Sequence, residues 1–132
     1  MIPVFQEHFY TEDEHGKPLT RGGCFIACIA SILEVPYHGV PRFFEWYGVS
    51  NWRVHLDNWF NYYGLQIDKI DGEPWDGSDD YFIVSGPSPR FDGKIWHSCV
   101  WHKGEIVHDP HPDGTGLREY RRWQIIRKVF KY

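Results

Sequence analysis

Thr20-Arg21-Gly22-Gly23-Cys24-Phe25-Ile26-Ala27-Cys28-Ile29-Ala30-Ser31-Ile32-Leu33 is the stretch whose reading decides the fold. Two glycines precede a cysteine, and an almost wholly apolar run without Gly or Pro follows. A helix that is apolar on every side belongs in the middle of a fold rather than on its flank. The run predicts a buried central helix over residues 24–34, ended before Val35-Pro36 because the residue before proline resists the helical region. Cys24 then lies in the first turn, where unpaired backbone N–H groups and the positive end of the helix dipole favour a thiolate. Gly22 and Gly23 let the backbone approach closely. Cys24 is therefore a candidate nucleophile. Cys28, one turn on, reads as a small core hydrophobe, a reading equally open to Cys24 taken alone.

Outward from this helix, the chain of 132 residues suits one domain spanning 1–132. Seven Trp, eight Tyr and nine Phe supply a core. A net charge of −4 without a basic block gives no sign of nucleic acid as a partner. No apolar run nears the roughly 20 residues that cross a bilayer, so no membrane partner is expected. The start, Met1-Ile2-Pro3-Val4-Phe5-Gln6-Glu7-His8, lacks the basic and apolar regions of a signal peptide. Three cysteines without framework spacing fit reduced thiols and a cytoplasmic location.

Residues 1–19 are mixed, with a short strand expected near Val4-Phe5 and polar turn material over 11–18. Arg42–Tyr47 reads as a short helix closed by Gly48. Ser50-Asn51 caps a second helix over 52–63, stopped by Gly64. Its stripe of Trp52, Leu56, Trp59, Phe60 and Tyr63 reads as core packing. Strands are predicted over 65–70, 81–85, 94–101 and 105–109, and over 119–130 in one or two pieces. The acidic stretch 71–80 is a solvated loop whose spacing does not match the helix–loop–helix calcium motif. It hints at a basic ligand. Helices first and antiparallel strands after is the α+β pattern.

The 95–109 hairpin carries the second cluster of chemistry. A three-residue loop at His102-Lys103-Gly104 places His97 opposite Asp109, whereas a two-residue loop places Asp109 opposite Ser98 and on the other face. In the first register, a carboxylate accepting the ring N–H fixes the imidazole tautomer and leaves the other nitrogen for Cys24. The result is a Cys24–His97–Asp109 set with the base oriented by a third group. Asp113 is the lesser candidate for the acid. His108 and His111 flank Asp109 as loop residues, and Cys99 shares the His97 face and packs in the core.

These residues, Cys24-Phe25-Ile26-Ala27-Cys28, His97 and Asp109-Pro110, resemble the papain-like cysteine peptidases. The closest likeness is to the branch that processes bacteriocin leaders at double glycines, the C39-like peptidases. It covers 20–34 and 95–117 and not the middle. The resemblance implies a papain-like α+β fold, with the cysteine-bearing helix packed on an antiparallel sheet. It also implies a hydrolase of peptide, isopeptide or related amide bonds that works through an acyl-enzyme, needs no cofactor and takes a peptide or protein substrate. Small chains of this pattern look bacterial or phage-encoded. That family usually carries a Gln a few residues before the cysteine to donate to the oxyanion, and here the sixth residue upstream is Pro18. Gln6 is too distant by spacing unless folding returns it, so Thr20 or the Gly23-Cys24 backbone is the expected substitute. Gly often follows the family's nucleophile, and Phe25 stands here.

Two other readings stay open. One is a zinc site drawn from Cys24, Cys28, Cys99, His97, His102, His108 and His111, although no Cys-x2-Cys pair exists. The other is a papain-like module that binds without turnover, using exposed aromatics such as Trp46, Trp75 and Trp101.

Overall fold

Every strand that matters to the site lies in one antiparallel sheet of five, built after the helices. The computed structural model describes residues 1–129, and the strands are β1 (Thr11–Glu12), β2 (Pro18–Thr20), β3 (Leu65–Ile70), β4 (Phe82–Pro87), β5 (Trp96–His102), β6 (Glu105–His108) and β7 (Arg122–Lys128). The helices are α1 (Cys24–Leu33), α2 (Phe43–Tyr47) and α3 (Trp52–Tyr62). β1 and β2 form a separate two-stranded ribbon, and the main sheet runs β3-β7-β4-β5-β6. The class is α+β, as expected. No helix among the described residues is long and apolar enough to cross a membrane.

α1 forms where the apolar run predicts, and Ala27, Cys28, Ile29 and Ala30 in it are fully buried. It ends one residue early, with Glu34 in the left-handed conformation at φ 59°, its N–H bonded to the Ala30 and Ser31 carbonyls. The α1 residues pack with Leu56 and Phe60 of α3 and with Ile67, Ile83 and Val100 of the sheet. Alternate residues of the same strands, Phe82, Val84, Cys99, Trp101, Trp123 and Ile125, build a second cluster on the opposite face. Both faces of β4 are thus covered, and Phe82–Gly86 are buried without a break.

Several expectations need correction. No strand forms at Val4-Phe5. The stretch 1–10 runs irregularly instead, and the polar segment after it is the β1–β2 ribbon, where Asp13 caps the turn through His15 and Lys17 N–H. Trp101 is buried at 2% exposure in the second cluster, so it offers no partner surface, while Trp46 and Trp75 are exposed. The α3 stripe is core at Leu56 and Phe60, but Tyr63 is exposed and Trp52 lines a cavity. β7 is one piece, and Phe130 of the predicted strand lies outside the described residues.

The β5–β6 turn is the instructive correction. Pairing His102 with Glu105 and Trp101 with Ile106 leaves a two-residue loop, in which Lys103 (φ 49°) and Gly104 (φ 87°) both take positive φ. That turn alone sends Asp109 to the wrong face. The register then shifts between Val100 and Trp101, because Val100 pairs with His108. One extra residue in β6 reverses the facing parity and turns Asp109 back towards His97.

Candidate active site

Cys24, His97 and Asp109 converge from three elements: the first residue of α1, the second of β5, and the residue just past β6. His97 Nε2–H donates to Asp109 Oδ1 at 2.6 Å, with both side chains more than nine-tenths buried. The same Oδ1 accepts the His111 N–H at 2.9 Å, and Oδ2 accepts the Gly116 N–H at 2.8 Å. Three donors hold the carboxylate. The loop that supplies two of them, 110–116, is rich in Pro and Gly. Burial pushes the Asp109 carboxyl up, but the His97 hydrogen bond and the two backbone donors outweigh it and hold the group below its ordinary value.

Nε2 is occupied, so Nδ1 is the nitrogen left for the thiols. Burial alone pushes His97 down. Pairing with Asp109, then with the sulfurs of Cys24 and Cys99, reverses this and raises it to about 11. The Cys24 thiol shows the complementary balance. Burial raises it, yet the His97 interaction and the backbone groups of Ser98 and Phe25 bring it below its ordinary value. Cys28 is held well above that value by burial and by the neighbouring Cys99, Cys24 and Asp109. Cys99 is also raised by burial, only partly offset by His97. Among the three cysteines, Cys24 is the one favoured as a thiolate and the one that is not fully buried.

Gly23 has a packing reason to be glycine. A Cβ there would lie 1.8 Å from Tyr37 Oη, which itself bonds His8 Nδ1 at 2.9 Å. Its N–H donates to the His8 carbonyl at 2.9 Å, so it has no donor to spare for a substrate. Thr20 does not join the group. Its hydroxyl donates to the Phe9 carbonyl and meets Thr11 within the β1–β2 ribbon, and Thr20 is not among the residues that line the cavity.

Gln6 takes the place that spacing denied it. The Gly23–His8 hydrogen bond closes the base of the segment carrying β1 and β2, so that segment loops out and the flanks meet. Gln6 Nε2 lies 3.5 Å from where a Gly22 Cβ would stand and donates to the His8 carbonyl at 2.9 Å. Its backbone N–H bonds the Pro110 carbonyl at 3.1 Å, tying it to the loop that holds Asp109. Gln6 is buried, and its Oε1 has no partner among the described residues. A ribbon predicted across 11–20 would have been the signal, since excising it leaves Gln6 close to Cys24 along the chain.

Gln6, Cys24 and His97 line one cavity of about 670 Å3. His111 lines it too, stacked edge-on against Phe9, whereas His108 is structural and pairs with the Val4 carbonyl at 2.7 Å. Asp113 binds Arg90 instead of His97. The zinc ligand set is dispersed, because His102 sits at the far end of the hairpin against the Asp80 carbonyl. His97, Cys99 and Asp109 do bring one ligand atom each within 4.8 Å of the others. Both Asp109 oxygens are already committed to N–H donors, so a metal would have to displace them. The chain matches no protein-family profile, no curated protein and no solved structure.

Proposed function

We propose that the chain is a papain-like cysteine hydrolase acting on amide or related acyl bonds of a peptide or protein. The observation that carries this reading is the polarised pair: a thiol lowered below its ordinary value against an imidazole raised to about 11, the imidazole in turn anchored on a buried carboxylate. In such a site the Cys24 thiolate attacks the carbonyl carbon, and the developing oxyanion takes N–H donation from Gln6 Nε2 and the Cys24 backbone. The His97 imidazolium gives its proton to the leaving amine as the C–N bond breaks, leaving a thioester on Cys24. Water then attacks that thioester, His97 accepts the water proton, and the thiolate leaves as the acid product forms. Asp109 keeps Nε2–H in place throughout, so that Nδ1 handles every proton transfer.

The test is the pH dependence of iodoacetamide alkylation, resolved at each cysteine by mass spectrometry, in wild type and His97→Ala. Cys24 is expected to react first as pH rises, at a pH where Cys28 and Cys99 are unmodified. His97→Ala should move the Cys24 profile up to or beyond the ordinary thiol range of about 8.5. A Cys24 that reacts no earlier than Cys28 and Cys99 sinks the proposal.

A further inference from the structure

The cavity beside Cys24 carries a charge bias that the mechanism does not use. Five arginines line it, Arg21, Arg42, Arg53, Arg90 and Arg122, against one carboxylate, Glu45, in a chain whose net charge is −4. The acidic loop 71–80, which hinted at a basic ligand, is not among the lining residues. Asp79 pairs with Lys103, and the Asp80 backbone carbonyl meets His102 Nδ1, at the far end of the β5–β6 hairpin. The sign of the charge facing a ligand is therefore the reverse of that expectation.

The five arginines are not equally committed. Arg90 is clamped by both Asp113 oxygens and Thr115. Arg42 meets Glu45 at 4.0 Å, and Arg53 touches Asp57 at 3.3 Å through one nitrogen. Arg122 has no carboxylate partner among the described residues. It lies over the ring of Trp96, 5.3 Å from the centroid, and Trp96 is 48% exposed. Burial and the nearby charge of Arg53 both press on Arg122. Two guanidinium groups brought together beside a cavity, one without a counter-charge, concentrate positive potential there. Two residues along β7 on the same face is Gln124, 4% exposed, also lining the cavity, with an Oε1 that has no partner among the described residues. A buried amide left incomplete costs stability in the free protein unless something occupies the space before it.

We infer that Arg122 of β7, with Arg53 of α3, forms an anion subsite that holds a substrate carboxylate, so that the substrate is an acidic peptide. The inference rests on the proposed hydrolase reading. Arg presents a planar fork of donors that matches a carboxylate bidentately, and Trp96 supports that fork from beneath. The free Gln124 Oε1 is an acceptor and would take a backbone N–H of the same peptide at the buried end.

The experiment is fluorescence anisotropy of labelled hexapeptides with Cys24→Ala protein, which cannot turn them over. Three peptides share one sequence: glutamates with an amidated end, glutamines with an amidated end, and glutamines with a free C-terminal carboxylate. The glutamate peptide is expected to bind about tenfold or more tighter than the amidated glutamine peptide. The preference should shrink as salt rises from about 50 to about 500 mM. If the free-acid glutamine peptide alone gains, the carboxylate recognised is the chain end and not a side chain, which overturns the acidic-peptide assignment. Arg122→Gln with Arg53→Gln should abolish the preference, and Arg122→Lys, which keeps the charge, should retain part of it. Equal affinity for all three peptides, a preference that survives the double change, or tighter binding of a short oligothymidylate than of the glutamate peptide overturns the inference. Binding needs no thiolate, so its failure is distinct from failure of the alkylation test.

Discussion

Each end of the β5–β6 hairpin sets a basic side chain against a carboxylate, and the two pairs are put to different use. At the turn end, Lys103 Nζ meets Asp79 Oδ1 at 3.1 Å, with the Asp79 side chain 91% exposed. At the open end, His97 meets Asp109 at 2.6 Å, with the carboxylate 7% exposed and two backbone N–H donors added. Water screens the first pair, and an exposed pair of this kind contributes little. The second is desolvated, so each charge depends on its partner and each pKa moves. A carboxylate acquires chemistry from its donors and from the exclusion of water, not from the density of acids along the chain. The acidic stretch 71–80, set against the turn end of the hairpin, and the lone Asp109 at its open end make that contrast.

The largest expected effect is at the open end. Cys24→Ala should remove hydrolysis of any substrate found, a loss of at least about ten-thousandfold in kcat/KM, and with it the acyl adduct seen by mass spectrometry when an activated ester is added. An adduct that persists on Cys99 or Cys28 would break the comparison. Asp109→Asn comes next. It removes one partner of a buried pair and should lower unfolding stability by about 3–5 kcal/mol, read from urea melts. Gln6→Ala should cut kcat by about a hundred- to a thousandfold, with a smaller change in KM, because the donor acts on the oxyanion rather than on the bound substrate.

Acidity sharpens the same contrast. His97 is raised from an ordinary 6.5 to about 11, so its pairing stability is full below about pH 6.5 and is lost as pH rises through about 11. Asp109 is lowered from 3.8, so its contribution is full above about pH 3.8 and is lost as pH falls through its native value. The stability gap between wild type and His97→Ala should therefore be widest near pH 4–6.5 and narrow steadily towards pH 11, followed by urea midpoints across that range. The smallest effect belongs to the turn end. Asp79→Asn should change stability by no more than about 0.5 kcal/mol in the same assay, and a loss near that of Asp109→Asn would dissolve the distinction between the two ends.

Local signals made much of the frame legible. The apolar run after Gly22-Gly23 marks α1 to within a residue, and Gly48 and Gly64 mark the ends of α2 and the α3 segment. Strand β3 falls on its alternating pattern without adjustment. Each is decided by period and punctuation within a few residues, which is the range over which backbone propensity acts. The three residues of the candidate site were also legible by type and order.

What the sequence by itself determined is the inventory: one thiol at a helix start, one histidine and one Asp-Pro on consecutive strands, and an α+β order of elements. What only the tertiary structure decided is which of these meet. A two-residue turn and a β6 register shift set the face of Asp109, and no residue in the hairpin announces an extra one in the ladder. Gln6 reaches the Cys24 cavity because the β1–β2 ribbon loops out, and Arg53 and Arg122 come together from α3 and β7. Thr20 lost its expected place for the same reason, spent on the ribbon that returns Gln6. Facing parity flips with a single inserted residue, and long-range proximity depends on how segments close on each other. Both are properties of packing, not of local sequence.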